Sequence, residues 1–186
     1  LVLVALASLV LGMGLPVTAA YIVLVVLAGP ALQDLGVVLI TAHMVVFWLS
    51  QDSNVTPPVA LAAYASAGIA GASPMRSGFQ AWKFAKGLYL IPLLMIYAPG
   101  VLLQGEPPQI AFDLVVALAA VVGAVPGLEG HFQAPVRAWE RMLLGAAVVV
   151  VFLPEPSMRI AGVAVIAVVL GVNVVRARRQ RAITAG

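Results

Sequence analysis

Apolar residues dominate the chain from its first position, and the polar residues that interrupt them fall in a pattern. Residues 1 to 11 and 17 to 28 are apolar runs separated by "GMGLP", with Gly12, Gly14 and Pro16 close together. At 1.5 Å per helical residue, neither run crosses a hydrocarbon layer of about 30 Å, so the pair predicts a re-entrant helical hairpin. Residues 37 to 50 are apolar again, "SQDSNVTPP" (50 to 58) breaks the pattern, and "VALAAYASAGIAGA" (59 to 72) resumes it. One discontinuous transmembrane helix is expected there. Pro58 has no N–H, and Thr56, which precedes Pro57, is steered away from helical dihedrals. Beyond the amphipathic "SPMRSGFQAWKFAKG" lie further spans near 87 to 103, 110 to 128, 137 to 153 and 158 to 175. The chain thus divides into a hairpin with a broken helix (1–73), an amphipathic connection (74–86), about four C-terminal transmembrane helices (87–175) and a basic tail (176–186).

Composition fixes the solvent of these helices. The chain is 63% hydrophobic and 9% charged, against about 25% charged residues in a soluble domain. Its mean hydropathy is +1.10. A soluble fold of 186 residues has too much surface to hide that much apolar material, so the fold class is an all-α, multi-pass integral membrane protein. With no cysteine, there is no disulfide frame and no thiolate metal site. The net charge of +3 is too small to suggest a nucleic-acid partner. Leu1 is not a start methionine and no basic segment precedes the first apolar run, so a signal peptide is not expected. The chain reads instead as the C-terminal part of a longer polypeptide.

Charge placement orients the spans. Arg76, Lys83 and Lys86, then Arg137 and Arg141, then Arg176, Arg178, Arg179 and Arg181 form three basic segments that belong on the cytoplasmic side. The alternate connections carry Glu106 and Glu155. Arg159 falls on the other side by this count, where a snorkelling side chain would absorb the mismatch. By the same alternation the hairpin opens outward.

In lipid, non-helical backbone is tolerated only where protein or a water-filled cavity surrounds it. Two breaks close together therefore predict a buried site of the kind found at the midplane of secondary transporters. The first arm of the hairpin ends near Gly12 in free carbonyls, which suit a small cation. Gly12 and Gly14 permit the turn, Pro16 preforms the next helix start, and Pro57 and Pro58 free carbonyls at the second break. Thr18 and Thr56 add hydroxyls. The expected cation site therefore comprises Gly12, Gly14, Thr18, Ser53, Asn54 and Thr56, with the two tips meeting near mid-membrane.

"LGMGLPVTAAYIVLVVLAGPAL" followed by "TPPVALAAYASAGIAGASP" resembles the large membrane subunit of tripartite ATP-independent periplasmic (TRAP) transporters, and is most similar to the fused TAXI-type permeases. The resemblance is strong over roughly residues 1 to 100. It implies a secondary active transporter of a bacterial or archaeal cytoplasmic (inner) membrane. Such a permease takes up small organic acids by symport with sodium as the coupling ion, moving as an elevator. It further implies two protein partners: a periplasmic solute-binding protein, and a small membrane subunit or its fused equivalent. Inverted repeats each contribute a hairpin and a broken helix, and this chain holds the second pair.

Other polar residues have plainer readings. Ala60 to Gly71 looks like a small-residue packing face. His43 stands without an acidic partner at helical spacing and reads as a hydrogen-bonded core residue, while His131 lies among interfacial residues; neither suggests a metal site. Trp82, Lys83 and Lys86 read as an interfacial belt touching membrane lipid. Asp113 is expected to reach the outer interface. Asp52 lies in the break itself, either capping a half-helix or lining the site. No acid–base pair, nucleophile with its base, or metal cluster suggests an enzyme, and no cofactor is expected beyond the coupling ion. The rival reading is a non-transporting membrane module that assembles with a larger complex.

Overall fold

A computed structural model of the chain describes residues 15–184 together with residues 3, 4, 6, 7 and 10. Its regular elements are helical, and no strand forms among the described residues. The chain divides into two compact units, Leu1–Ile96 and Tyr97–Gly186.

In the first unit, α1 (Val17–Asp34) begins directly behind Pro16, whose φ of −55° suits a helix start and whose carbonyl accepts the Ala20 N–H at 2.9 Å. The helix runs past the expected limit at residue 28, through Gly29 and Pro30, to a length of 18 residues, about 27 Å. Pro30 forfeits a single backbone bond, a loss that apolar helices in lipid tolerate. Gly36, at φ 83°, turns the chain back into α2 (Leu39–Gln51), which packs antiparallel on α1. Leu24 and Leu32 pack there with Ala42 and Val46. The first arm of the hairpin lies largely outside the described residues, so its pairing with α1 is not described.

Past α2 the helix does break. Asp52–Asn54 forms a 3-10 turn, its Asp52 carbonyl accepting the Val55 and Thr56 N–H groups at 3.2 and 2.9 Å. The peptide between Pro57 and Pro58 is cis, and Ala60 takes the left-handed conformation before α3 (Leu61–Ala70) resumes. Small residues cover only one edge of α3: Ala63 and Ala67 are buried, whereas Ile69 is 92% exposed and Gly68 faces open space. The expected packing face is thus a narrow stripe. The amphipathic α4 (Pro74–Ala85) follows, with Pro74 at its first position. Residues 87 to 103 do not form one continuous span. A 3-10 turn (Lys86–Tyr89) leads into α5 (Leu90–Tyr97), and a second turn follows at Pro99–Leu102. Ala98, as the residue before a proline, is forced to φ −134° and ψ 74°, which ends the helix.

The second unit packs three helices, α6 (Pro107–Glu129), α7 (Ala138–Val151) and α8 (Pro156–Thr184). Both α6 and α8 are long and apolar enough to cross a bilayer. Gly162 sets the approach of α8 to α7, because a Cβ there would fall 2.8 Å from Val151 Cγ2 and 2.9 Å from the Ala147 carbonyl. Small residues serve this purpose in lipid, where close packing must replace the hydrophobic drive between helices. Outward-facing Leu118, Met142, Val149 and Val168 are 65–75% exposed. So large an apolar exterior fits lipid and not water.

Charges lie inside this bundle. Asp113, expected at the outer interface, is completely buried within the bundle, its Oδ1 accepting Arg159 Nη1 at 3.1 Å and Gln109 Nε2 at 3.0 Å, and its Oδ2 accepting the Gly100 N–H at 2.9 Å. Arg159 does not snorkel. Its remaining donors bind the carbonyls of Leu153, at 3.0 Å, and Tyr97. A lone charge at either position would be expensive in lipid, and the pair removes that penalty for both. Near the other end, Glu140 Oε2 accepts Arg176 Nη2 and the Arg137 N–H, each at 2.8 Å. Asn173 pins the α6–α7 loop: its Oδ1 accepts the N–H groups of Gln133 and Ala134, and its Nδ2 donates to the Ala134 carbonyl.

Candidate functional site

Around the break in the first unit, the sequence places polar groups where helix geometry leaves backbone unpaired. Asn54 Nδ2 donates to the Gln51 carbonyl at 3.2 Å and so closes the C-terminal end of α2. Thr56 is buried, its hydroxyl 2.7 Å from the Tyr89 hydroxyl. Tyr64 donates to the Pro58 carbonyl at 2.8 Å, and Trp48 Nε1 to the Leu88 carbonyl at 3.0 Å. The break is thereby tied to α3, α4 and the 86–89 turn. Gly78 makes the closest contact: a Cβ there would meet Tyr64 Cε1 at 2.8 Å and Ala60 Cβ at 3.3 Å. Asp52 is only 4% exposed, and no side-chain hydrogen bond or ion pair engages its carboxylate among the described residues. Thr56, Pro57 and Pro58 line a cavity of ≈ 390 Å³ with Met75, Phe79 and Trp82 of α4.

Thr18 lies elsewhere. It is exposed and lines a cavity of ≈ 600 Å³ with Tyr21 on α1 and His43, Met44 and Phe47 on α2. Tyr21 bonds His43 Nδ1 at 2.8 Å and meets Phe47 edge-on at 5.8 Å, so His43 is hydrogen-bonded, as the sequence suggested. Among the expected site residues, the structure gathers Asp52, Asn54, Thr56, Pro57 and Pro58, leaves Thr18 in a separate cavity, and places Pro16 directly before α1. Gly12 and Gly14 lie outside the described residues, as does the Ser53 side chain. Because α1 and α2 are antiparallel and Tyr21 faces His43 and Phe47, the start of α1 and the break stand at the same end of the helix pair.

Sequence reasoning missed Tyr89, which meets Thr56 from 33 positions away; no local pattern announces such a partner. It also missed the Asp113–Arg159 pair. The available signal was two opposite charges inside apolar spans. No group of three or more His, Cys, Asp or Glu that could hold a transition metal occurs among the described residues.

A buried break, coupled to an amphipathic helix in an otherwise apolar chain, is what the comparison with known proteins speaks to. The family described as "Tripartite ATP-independent periplasmic transporter, DctM component" matches residues 1–101. The chain belongs to this family. No curated protein and no solved structure matches it. The match spans both interruptions, with α1 to α5, and makes the chain a TRAP transporter permease component, a membrane protein of transport. Membership also implies partnership with a periplasmic binding protein and a small membrane subunit.

Proposed function

We propose that this DctM chain supplies one hairpin-and-broken-helix half of a permease for sodium-coupled uptake of small organic acids. The acid is delivered by the periplasmic binding protein, and the transport core moves as an elevator across the bacterial or archaeal inner membrane. Sodium sits between the tip at Gly12 to Thr18 and the break at Ser53 to Thr56. The observation that carries the reading is the position of the break: it holds the buried Asp52 and lies at the same end of the α1–α2 pair as the start of α1. A hard cation takes oxygen ligands, and these segments offer carbonyls, hydroxyls and one carboxylate. Since the ligands come from two elements, ion binding favours the state in which both are in place, which couples sodium to substrate binding.

Uptake by the complete transporter in proteoliposomes, with its binding protein present and the sodium concentration varied, tests this. Thr56→Val keeps the side-chain shape and deletes an oxygen. It should raise the sodium needed for half-maximal uptake about tenfold, the scale of one hydrogen-bonding group to a charge. Tyr89→Phe, which leaves the Thr56 hydroxyl in place, should shift it much less. Unchanged sodium dependence in Thr56→Val and in Thr18→Val would remove both hydroxyls from the site. A complex that assembles but supports no uptake under any gradient would instead favour a non-transporting assembly module.

A further inference from the structure

On the second unit, an apolar groove between α7 and α8 continues into a basic one along α8. The first, of ≈ 370 Å³, is lined by Trp139 and Leu143 of α7 and by Val165, Val168 and Val172 of α8. The second, of ≈ 500 Å³, shares Val168 and Val172 and runs past Gly171 and Val175 to Arg176, Arg179 and Gln180. The two form one trough, apolar for most of its length and cationic at one end.

Three observations distinguish this trough from an ordinary lipid-facing surface. Arg176 is held in position by Glu140, at 2.8 Å, and by the Pro135 carbonyl, at 3.2 Å. Arg179 is exposed, and no acidic side chain pairs with it among the described residues. Gly171 lines the trough, where a larger side chain would project into its open space. Trp139, half exposed on the first turn of α7, adds an indole of the kind that settles at headgroup depth.

We propose that this trough binds one anionic phospholipid, its acyl chain along Leu143, Val165, Val168 and Val172 and its phosphate against Arg179 and Arg176. Charge complementarity selects the occupant: a zwitterionic lipid would fill the apolar part equally well but would leave Arg179 without a net counter-charge. Guanidinium groups suit a phosphate because they offer paired donors in a fixed plane.

The test is native mass spectrometry of the complete permease, extracted from vesicles of equimolar phosphatidylcholine and phosphatidylglycerol. Arg179→Gln should lower the retained phosphatidylglycerol about five-fold, the scale of one cation acting at a headgroup, and leave phosphatidylcholine unchanged. Gly171→Leu fills the trough without altering any charge and should also release phosphatidylglycerol. Arg178→Gln removes the same charge from the adjacent position, outside the trough, and should have little effect. Equal losses in Arg178→Gln and Arg179→Gln would show diffuse attraction to the tail and overturn the site, as would full retention in Gly171→Leu. Loss of the small membrane subunit in Gly171→Leu with lipid retention unchanged would give the trough to a protein helix instead.

Discussion

The two units treat buried charge in opposite ways. In the second, Asp113 accepts three hydrogen bonds, from Arg159, Gln109 and Gly100, and Glu140 accepts two on Oε2, from Arg176 and the Arg137 N–H, while its Oε1 is buried without a partner among the described residues. In the first, Asp52 is as deeply placed as Arg159 yet has no side-chain partner among the described residues. A carboxylate bonded on both oxygens within the protein, as Asp113 is, has little capacity left for a ligand. One left open in a break retains it, and membrane depth alone does not distinguish the two cases.

Breaking the paired side should do the most damage. Arg159→Gln strands Asp113 in the bundle and should destabilise the protein by about 3–5 kcal/mol, read as lost expression and a lowered melting temperature in detergent. The double variant Asp113→Leu/Arg159→Met should recover most of that loss; no recovery would show that the pair does more than neutralise itself. A smaller effect is expected from Gly78→Val, which drives a side chain into Tyr64 and Ala60 beside the break. Overpacking of this kind costs about 1–3 kcal/mol. It should lower uptake more than its stability loss explains, whereas a proportionate decline would make the α4 contact merely structural. Smallest in stability should be Asp52→Asn, within about 1 kcal/mol of the parent, because no ion pair is lost. A melting temperature lowered as far as in Arg159→Gln would erase the contrast between the two units.

Much of the first unit was legible because its signals are local. Prolines at 57 and 58 forbid a continuous helix whatever packs nearby, so the break was readable to within two residues of its start. The end of α1 was not, since Gly29 and Pro30 resemble a stop and the helix nevertheless continues to Asp34. Helix ends depend on what the next turn packs against, and Leu32 packs into the α1–α2 core. Ala98 is a local signal overlooked, for Pro99 marks that boundary in the sequence. Tyr89 and the Asp113–Arg159 pair are of another kind: each joins residues 33 or 46 positions apart, and only the tertiary arrangement selects the partner. Candidate ligands could be named from the breaks. Their separation into a Thr18 cavity and a Thr56 cavity could not, because it depends on which faces of α1, α2 and α4 meet.

The Asp113–Arg159 pair also bears on how the chain enters the bilayer. Each charge adds up to about 2.5–3.5 kcal/mol to the insertion of its helix at the bilayer centre, and less toward the ends, where both of these lie. When Asp113 is added to the growing chain its counter-charge is still 46 residues from being made. Until α8 arrives, α6 carries an uncompensated carboxylate, and α8 in turn gains a partner only if α6 has stayed close to the insertion machinery. The pairing therefore favours joint integration of α6 and α8, with α7 between them, over release of each helix into lipid on its own.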